Sequence, residues 1–143
     1  MSVDKEEILK EIWGRFAEQR HVFLATTDGD QPRLRPVMLI YTLGRLFVAT
    51  GTGEAKVQQI KRNPKTEFCI LFEKDGVRGS IRTECLAQIV EEEDVKTHIY
   101  NNVSFLKEFW GSPADPNYTL IELTPTGFEY FKPGSMQAVK LKP

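Results

Sequence analysis

The 143-residue sequence predicts a mainly β fold of the α+β class, in the form of a small antiparallel β-barrel with a few peripheral helices. Two observations lead to this prediction. Runs of β-forming residues alternate with tight turns along most of the chain, and only one or two helical segments lie between them. The length fits a single domain covering residues 1–143, with a core at about residues 20–131 and a tail at residues 132–143.

The first half of the chain reads as one helix followed by three strands. Asp4 can cap a short amphipathic helix. The apolar residues of this helix fall near one face at helical spacing: Ile8, Ile12, Trp13 and Phe16. Strands are predicted at residues 22–27, 33–42 and 45–50. Turn signals at Asp28-Gly29-Asp30 and Leu43-Gly44 predict that these strands form an antiparallel meander.

The second half adds a helix, a hairpin, further helical sequence and a last pair of strands. A modest apolar stripe predicts a helix over residues 54–62, which Asn63-Pro64 ends. The turn Lys74-Asp75-Gly76 joins strands predicted at residues 67–72 and 78–90. Helical sequence begins at the acidic residues 91–94 and resumes around residues 105–110. The chain then predicts a final hairpin or bent strand pair at residues 118–123 and 127–131.

Charge and composition exclude several classes of function. The 19 basic and 20 acidic side chains leave a net charge of -1, which gives no footprint for nucleic acid. No apolar run approaches the roughly 20 residues of a membrane span, and residues 1–7 are acidic rather than typical of an export signal. We therefore expect a cytoplasmic protein without a membrane segment. Cys69 and Cys85 lack the spacing of a metal site and are interpreted as small buried apolar residues.

The residues that point to a ligand lie on one predicted strand and at the start of one helix. Alternation along the strand puts Arg33 and Arg35 on the same face, as a cationic site or as a solubilising surface pair. The sequence Thr50-Gly51-Thr52-Gly53 then leads into a helix that carries Lys56 one turn inside. Backbone amides, threonine hydroxyls and an ammonium can all donate to phosphate oxygens, while glycine lets the backbone approach closely. We predict an anion site built from these two segments.

Two common phosphate-binding motifs are excluded. The run Gly51-Thr52-Gly53 lacks the third glycine of the dinucleotide fingerprint, because Lys56 stands at that position. A dinucleotide fold also needs parallel strands with crossovers, whereas the strands before Thr50 read as hairpins. A Walker phosphate loop is excluded because no glycine directly precedes Lys56.

A series of short motifs resembles the pyridoxamine 5'-phosphate oxidase-like family of FMN-binding split barrels. The motifs are Arg35-Pro36-Val37, Ala49-Thr50-Gly51-Thr52-Gly53-Glu54-Ala55-Lys56, Gln59-Ile60 and Asn63-Pro64. Their order and spacing match, and the similarity runs over about residues 21–131. The later segments Phe109-Trp110-Gly111-Ser112-Pro113 and Asp115-Pro116-Asn117-Tyr118 resemble the general stress protein branch of that family.

The resemblance implies a six-stranded antiparallel split barrel that forms a homodimer, with FMN bound at the subunit interface. By position, Arg35 and Lys56 match the phosphate-binding cations of the family. The segment of residues 35–39 matches the strand along the isoalloxazine ring, and Ser80 falls where the oxidases place a glutamine. Trp110, with Phe109, is interpreted as core or interface packing that could also stack near the flavin. The cofactor-binding residues so predicted are Arg33, Arg35, Pro36, Val37, Met38, Ala49, Thr50, Thr52, Lys56, Ser80 and Trp110.

Two departures from the family pattern narrow the expected function. The true oxidases hold their substrate with a carboxy-terminal segment rich in arginine and histidine, and residues 132–143 contain neither. Oxidation of vitamin B6 is therefore not expected. Cys85 stands where the family commonly has glycine, and this alone gives no reason to invoke thiol chemistry.

Three hypotheses of function remain open at this point. The leading one is an FMN-dependent oxidoreductase that exchanges electrons with NAD(P)H or another small donor or acceptor. The second is a non-catalytic flavin carrier or redox-responsive stress protein, and the third is a relative that binds the deazaflavin F420 or haem. No acid, base or nucleophile has the context of a catalytic residue, and His21 and His98 are interpreted as structural.

Overall fold

The chain forms one antiparallel sheet of eight strands with helices packed beside it, in a computed structural model that describes residues 4–18 and 21–143. Residues 1–3, 19 and 20 lie outside the described part. The elements, in chain order, are α1 (Lys5–Glu18), β1 (His21–Asp28), β2 (Gln31–Met38), β3 (Ile40–Thr42), β4 (Arg45–Gly51), α2 (Ala55–Arg62), β5 (Lys65–Lys74), β6 (Val77–Ile89), α3 (Glu93–Asn102), a 3-10 helix (Ser104–Glu108), β7 (Tyr118–Phe131) and β8 (Val139–Leu141).

The order of the strands shows how the sheet curls into a split barrel. Along the sheet the strands follow the order β2-β1-β5-β6-β7-β4-β3, and β8 pairs with β7. The segment predicted as one strand breaks at the buried Leu39, so β2 and β3 are consecutive in the chain but lie at opposite ends of this order. Both predicted hairpins are therefore present, β1 with β2 and β3 with β4, but the prediction that one continuous strand joins them into a meander is wrong. The bend at Leu39 brings the two ends of the sheet towards each other.

Tight turns join the strands of the hairpins, as predicted, and their geometry sets the register. Asp75 and Gly76 both have positive φ angles, of 54° and 78°, which are typical of the two central residues of a type I′ turn. This turn joins β5 to β6 with an unbroken register from Lys65 opposite Leu86 to Lys74 opposite Val77. Hairpin registers of this kind place every second side chain on the inner face of the barrel.

The last part of the sheet differs in detail from the prediction. Residues 118–131, predicted as a hairpin or a bent strand pair, form the single long strand β7, which shifts register against β6 where Cys85 follows Glu84. Such a bulge bends the strand. The segment predicted as a tail contains β8, whose Val139 pairs with Tyr130 of β7.

Two clusters of buried side chains lie on the two sides of β4. Leu46 and Val48 belong to the cluster inside the barrel, which α1 closes with Ile8, Ile12 and Phe16. Phe47, together with residues of α3 and the 3-10 helix, belongs to the second cluster. Because side chains alternate along a strand, Thr50 at the end of β4 lies on the barrel side. This places its hydroxyl next to the start of α2.

The predicted fold class is confirmed: the chain is a mainly β, antiparallel split barrel with peripheral helices. It has eight strands rather than six, because the second predicted strand divides at Leu39 and β8 is added. Of the two cysteines predicted to be buried, Cys85 is buried and Cys69 is half-buried. Among the described helices, none is both long and apolar enough to cross a bilayer.

Candidate anion-binding site

A short helix, α2, is fixed between the end of β4 and the start of β5. The backbone N–H of Glu54 donates to the carbonyl of Gly51 at 3.0 Å, which closes the turn between β4 and α2. At the other end, the side-chain amide of Asn63 donates to the Thr27 hydroxyl at 3.0 Å and ties the helix to β1. The helix therefore presents one face to the edge of the sheet formed by β1 and β2.

Four side chains meet on this face, and we call them the cationic cradle: Arg35, Thr50, Lys56 and Gln59. Lys56 and Gln59 are three residues apart on α2 and so share a face. The Lys56 ammonium donates to the Thr50 hydroxyl at 2.7 Å. The Arg35 guanidinium donates to the Gln59 side-chain oxygen at 3.0 Å and to the Leu24 carbonyl at 3.2 Å. The two cations predicted from sequence are thus brought together by one helix and two strands.

Neither cation of the cradle is neutralised by a partner of opposite charge. Across residues 4–18 and 21–143, no carboxylate forms an ion pair with Arg35 or Lys56. Burial lowers the pKa of Lys56 below its usual 10.5; Glu54 opposes this and Arg35 adds to it. Burial, and then the nearby Arg33, lower the pKa of the Arg35 guanidinium. Half-buried positive charge that forms no ion pair with a carboxylate favours the binding of an anion.

The two threonines predicted as hydroxyl donors differ in what they already bind. The Thr50 hydroxyl accepts from Lys56, and its own hydrogen has no acceptor within the described residues. The Thr52 hydroxyl instead donates to the Pro116 carbonyl at 2.8 Å and lies 2.7 Å from the Thr119 hydroxyl. Thr50 is therefore the threonine with a free donor, while Thr52 fastens the turn to residues 116–119.

Arg33 lies on the same side of β2 as Arg35 but has different surroundings. Its register partner Thr26 and the partner of Arg35, Leu24, both point to the inside of the barrel. The Arg33 guanidinium is about half exposed and lies 3.7 Å from the Asp28 carboxylate. The sequence left two alternatives open for Arg33, a cationic site or a solubilising surface residue. Its surroundings fit the second alternative.

Several predicted residues lie on the opposite face of the sheet or in the cores. Pro36 and Met38 alternate with Arg35 and so point outwards, and Ser80 lies in the outer row between Leu71 and Phe131. Val37 is buried beside its partner Val22, and Ala49 packs against the second cluster. Within one chain, the structure does not bring these side chains together with the cationic cradle.

Trp110 packs against the end of β7, close to the Gly51 end of β4. Its ring centroid lies 5.3 Å from that of Tyr118, which pairs with Gly51, and its carbonyl accepts from the Tyr100 hydroxyl at 2.6 Å. The predicted packing role fits Trp110, which is half-buried against the second cluster. Its neighbour Phe109 is different, because 65% of its surface is exposed.

Sequence reasoning missed the central position of Gln59. Its oxygen accepts from Thr26 at 2.6 Å as well as from Arg35, and the residue is only 6% exposed. The sequence contained one signal for this role: a polar residue three positions after Lys56, on the face that also carries the lysine.

Comparison with known proteins agrees with the split-barrel fold. The family model described as pyridoxamine 5'-phosphate oxidase matches residues 8–132. No curated protein matches the chain in sequence.

Solved structures with the same fold cover nearly the whole chain. General stress protein 26 from Bacillus anthracis shares 29% identity at a TM-score of 0.76, covering 95% of this chain and 98% of its own. A nimC/nimA family protein from Clostridium acetobutylicum shares 22% identity at a TM-score of 0.79, covering 94% and 91%. A pyridoxamine 5'-phosphate oxidase-related, FMN-binding protein from Nostoc punctiforme shares 17% identity at a TM-score of 0.73, covering 98% and 91%.

Proposed function

Because the chain belongs to the pyridoxamine 5'-phosphate oxidase family, in the branch of general stress protein 26, we propose that it binds FMN and transfers electrons through it. The observation that carries the proposal is the cationic cradle, where two cations meet without a carboxylate partner. A flavin phosphate, with a charge of about −1.5 to −2 near neutral pH, matches that charge.

The residues of the cradle are suited to a phosphate group. Arg35 supplies a planar donor fork, Lys56 a point charge and Thr50 a hydroxyl donor. Gly53 lies at the adjoining turn, where an added Cβ would meet no atom within 4 Å. That open space lets a ligand approach the backbone. The Nostoc punctiforme protein of the same fold is described as FMN-binding, which supports the choice of this flavin.

The division of labour in the proposed site follows from its residues. When bound, the isoalloxazine ring supplies reversible redox chemistry towards NAD(P)H or another small donor or acceptor. Arg35, Lys56 and Thr50 anchor the phosphate, and the backbone of residues 35–39 orients the ring. Pro36, Met38 and Ser80 face outwards, so they take part only where a second chain completes the site.

A homodimer is part of this proposal, and the outer face of the sheet supports it. Four large apolar side chains on that face are between 36% and 70% exposed: Phe23, Leu34, Leu71 and Phe131. They are spread over neighbouring strands, with Phe23 beside Cys69 and Leu71 beside Ser80. Several large exposed apolar side chains on one sheet face are typical of an interface. The second chain would cover this patch and reach Ser80. The proposal also places the protein in the cytoplasm.

The experiment identifies the ligand first and tests turnover second. Mass spectrometry of the ligand released by denaturing the purified protein should give FMN, and the finding of F420 or haem would contradict the cofactor assignment. The yellow protein should then lose its colour with NADH or NADPH in anaerobic buffer and recover it in air. Free FMN with the same nucleotide is the control. Bound FMN that neither nucleotide bleaches would contradict nucleotide-driven electron transfer and favour a flavin carrier.

A further inference from the structure

The neutral partner of Arg35 is the feature of the cradle that the proposed function does not explain. A carboxylate is the strongest partner for a half-buried arginine such as Arg35, because a charge-assisted bond holds the guanidinium most firmly. Here the side chain in that place is Gln59, which is 6% exposed and carries no charge. Resting on the proposed function, we propose that Gln59 is a positioning residue that fixes Arg35 without neutralising it, so that the cradle keeps both positive charges for a phosphate dianion.

The hydrogen bonds determine which way the Gln59 amide faces. A guanidinium can only donate, so the group 3.0 Å from the Arg35 nitrogen must be the amide oxygen. The Thr26 hydroxyl, at 2.6 Å from the same oxygen, then donates as well. Both lone pairs of the oxygen are therefore used, and the oxygen is held from β1 and from β2 at once.

Arg35 keeps donors for a ligand in this arrangement. Of its five N–H groups, one is directed to Gln59 and one to the Leu24 carbonyl. The remaining N–H groups have no acceptor among the residues that the structure describes. The guanidinium is thus fixed in position by two neutral oxygens. It retains its full charge and some of its N–H donors.

The amide nitrogen of Gln59 adds a donor to the same place. It is bonded to the carbon that carries the oxygen contacting Arg35, so it lies beside the guanidinium. No described residue accepts a hydrogen bond from it. Glutamate at this position would replace the donor by an acceptor and would bring the net charge of Arg35 and Lys56 from two towards one. An anion would then have to compete with this internal carboxylate.

The test compares changes at two neighbouring glutamines of the same helix. Gln59→Glu adds a charge inside the cradle, whereas Gln58→Glu adds the same charge at the exposed position next to it. FMN and riboflavin, which lacks the phosphate, are titrated into the apoprotein of each. We expect Gln59→Glu to weaken FMN binding by about tenfold or more and riboflavin binding by less than about twofold. Gln58→Glu should change neither by more than about twofold.

A second variant separates position from charge. Gln59→Met keeps the approximate volume but removes the oxygen that holds Arg35, so FMN affinity should fall by less than in Gln59→Glu. Equal FMN affinity in the Gln59→Glu and Gln58→Glu proteins would overturn the proposal. So would a Gln59→Glu protein that loses riboflavin as strongly as FMN, because the residue would then be structural.

Inorganic phosphate distinguishes this proposal from the proposed function. Phosphate should raise the melting temperature of the unchanged protein and of Gln58→Glu, but not that of Gln59→Glu, whether or not a flavin binds. The unchanged protein could show this phosphate pattern and still fail to bind FMN. That result would contradict the flavin proposal and leave the role of Gln59 intact. Equal stabilisation of all three proteins by phosphate would contradict the role of Gln59 alone, and none in the unchanged protein would overturn both.

Discussion

The two ends of β4 differ in whether the basic side chains near them are paired with carboxylates. At its start, the Arg45 guanidinium donates to both carboxylate oxygens of Glu122 at 2.7 and 2.8 Å, with Glu92 3.6 Å away. At its other end, Thr50 adjoins the cationic cradle, where Arg35 and Lys56 have only neutral hydrogen-bond partners. Both ends are built on the same strand, yet only one of them leaves positive charge unmatched.

The difference separates a structural ion pair from the proposed binding site. The hydrogen bond from Arg45 to Glu122 raises the pKa of Arg45, whereas burial lowers the pKa of Arg35. The first arrangement stabilises the folded chain by itself. The second costs stability in the free protein, and the anion that we propose for the cradle would compensate that cost.

Removing the cations of the cradle should have the largest effect on ligand binding. Each of Arg35→Ala and Lys56→Ala deletes a charge-assisted contact of about 1.5–3 kcal/mol, so FMN affinity should fall about 10- to 100-fold in each. Flavin fluorescence titrations of the apoproteins measure this. Circular dichroism shows whether each variant remains folded, and a folded pair of variants with unchanged FMN affinity would rule out the phosphate assignment.

Removing the paired arginine should affect stability instead. Arg45→Ala leaves the Glu122 carboxylate, whose side chain is 21% exposed, without its main partner. We expect the free energy of unfolding to fall by about 1–2 kcal/mol and FMN affinity to stay within about twofold. Urea denaturation and the same titration provide both numbers. A loss of FMN affinity as large as in Arg35→Ala would remove the contrast between the two ends of β4.

The pH dependence should have opposite signs for binding and for stability. Burial lowers the pKa of Lys56 in the folded protein. As the pH rises, its ammonium therefore loses its proton before the pH reaches the usual value of 10.5. FMN affinity should fall as the pH rises through this range, by up to about tenfold per pH unit. A Lys56→Arg variant should keep its affinity to higher pH.

The free protein gives the second half of this test. In the same pH window the unfolded chain holds the Lys56 proton more firmly than the folded chain does. The contribution of Lys56 to the free energy of unfolding should therefore rise with pH. Comparing urea denaturation of the unchanged protein and of Lys56→Met across this range isolates that contribution. A contribution that falls with pH would mean that Lys56 already has a stabilising partner.

The smallest effect is expected for Arg33. Its guanidinium is about half exposed and lies near Asp28, so Arg33→Ala should change FMN affinity by less than about threefold. The titration used for Arg35→Ala measures this directly. A loss comparable to that of Arg35→Ala would show that the two arginines act together, as their shared face permits.

Most of the fold could be predicted from local sequence, and the failures have a common cause. Turns such as Asp75-Gly76 are specified by residues that tolerate positive φ, so the sequence predicts the β5–β6 hairpin correctly. The break at Leu39 has no such signal, because a buried leucine fits a strand as well as a bend. The placement of β2 and β3 at opposite ends of the sheet depends on long-range packing, which periodicity cannot reveal.

The site shows the same limit of local reasoning at the level of single side chains. Arg35, Thr50 and Lys56 were predicted because each has chemistry that suits a phosphate. The positions of Ser80 and Met38 depend on which face of the sheet they occupy in a folded chain. The role of Gln59 depends on contacts with Thr26 and Arg35, which lie 33 and 24 positions away in the sequence.

The most direct test of the cationic cradle is the affinity of the unchanged apoprotein for FMN and for riboflavin, measured side by side. The two flavins share the ring and differ in the phosphate, so their ratio isolates what Arg35 and Lys56 contribute. We predict that FMN binds at least about 100-fold more tightly, as expected for two charge-assisted contacts of about 1.5 kcal/mol or more each. Equal affinities would contradict the assignment of the cradle to the flavin phosphate.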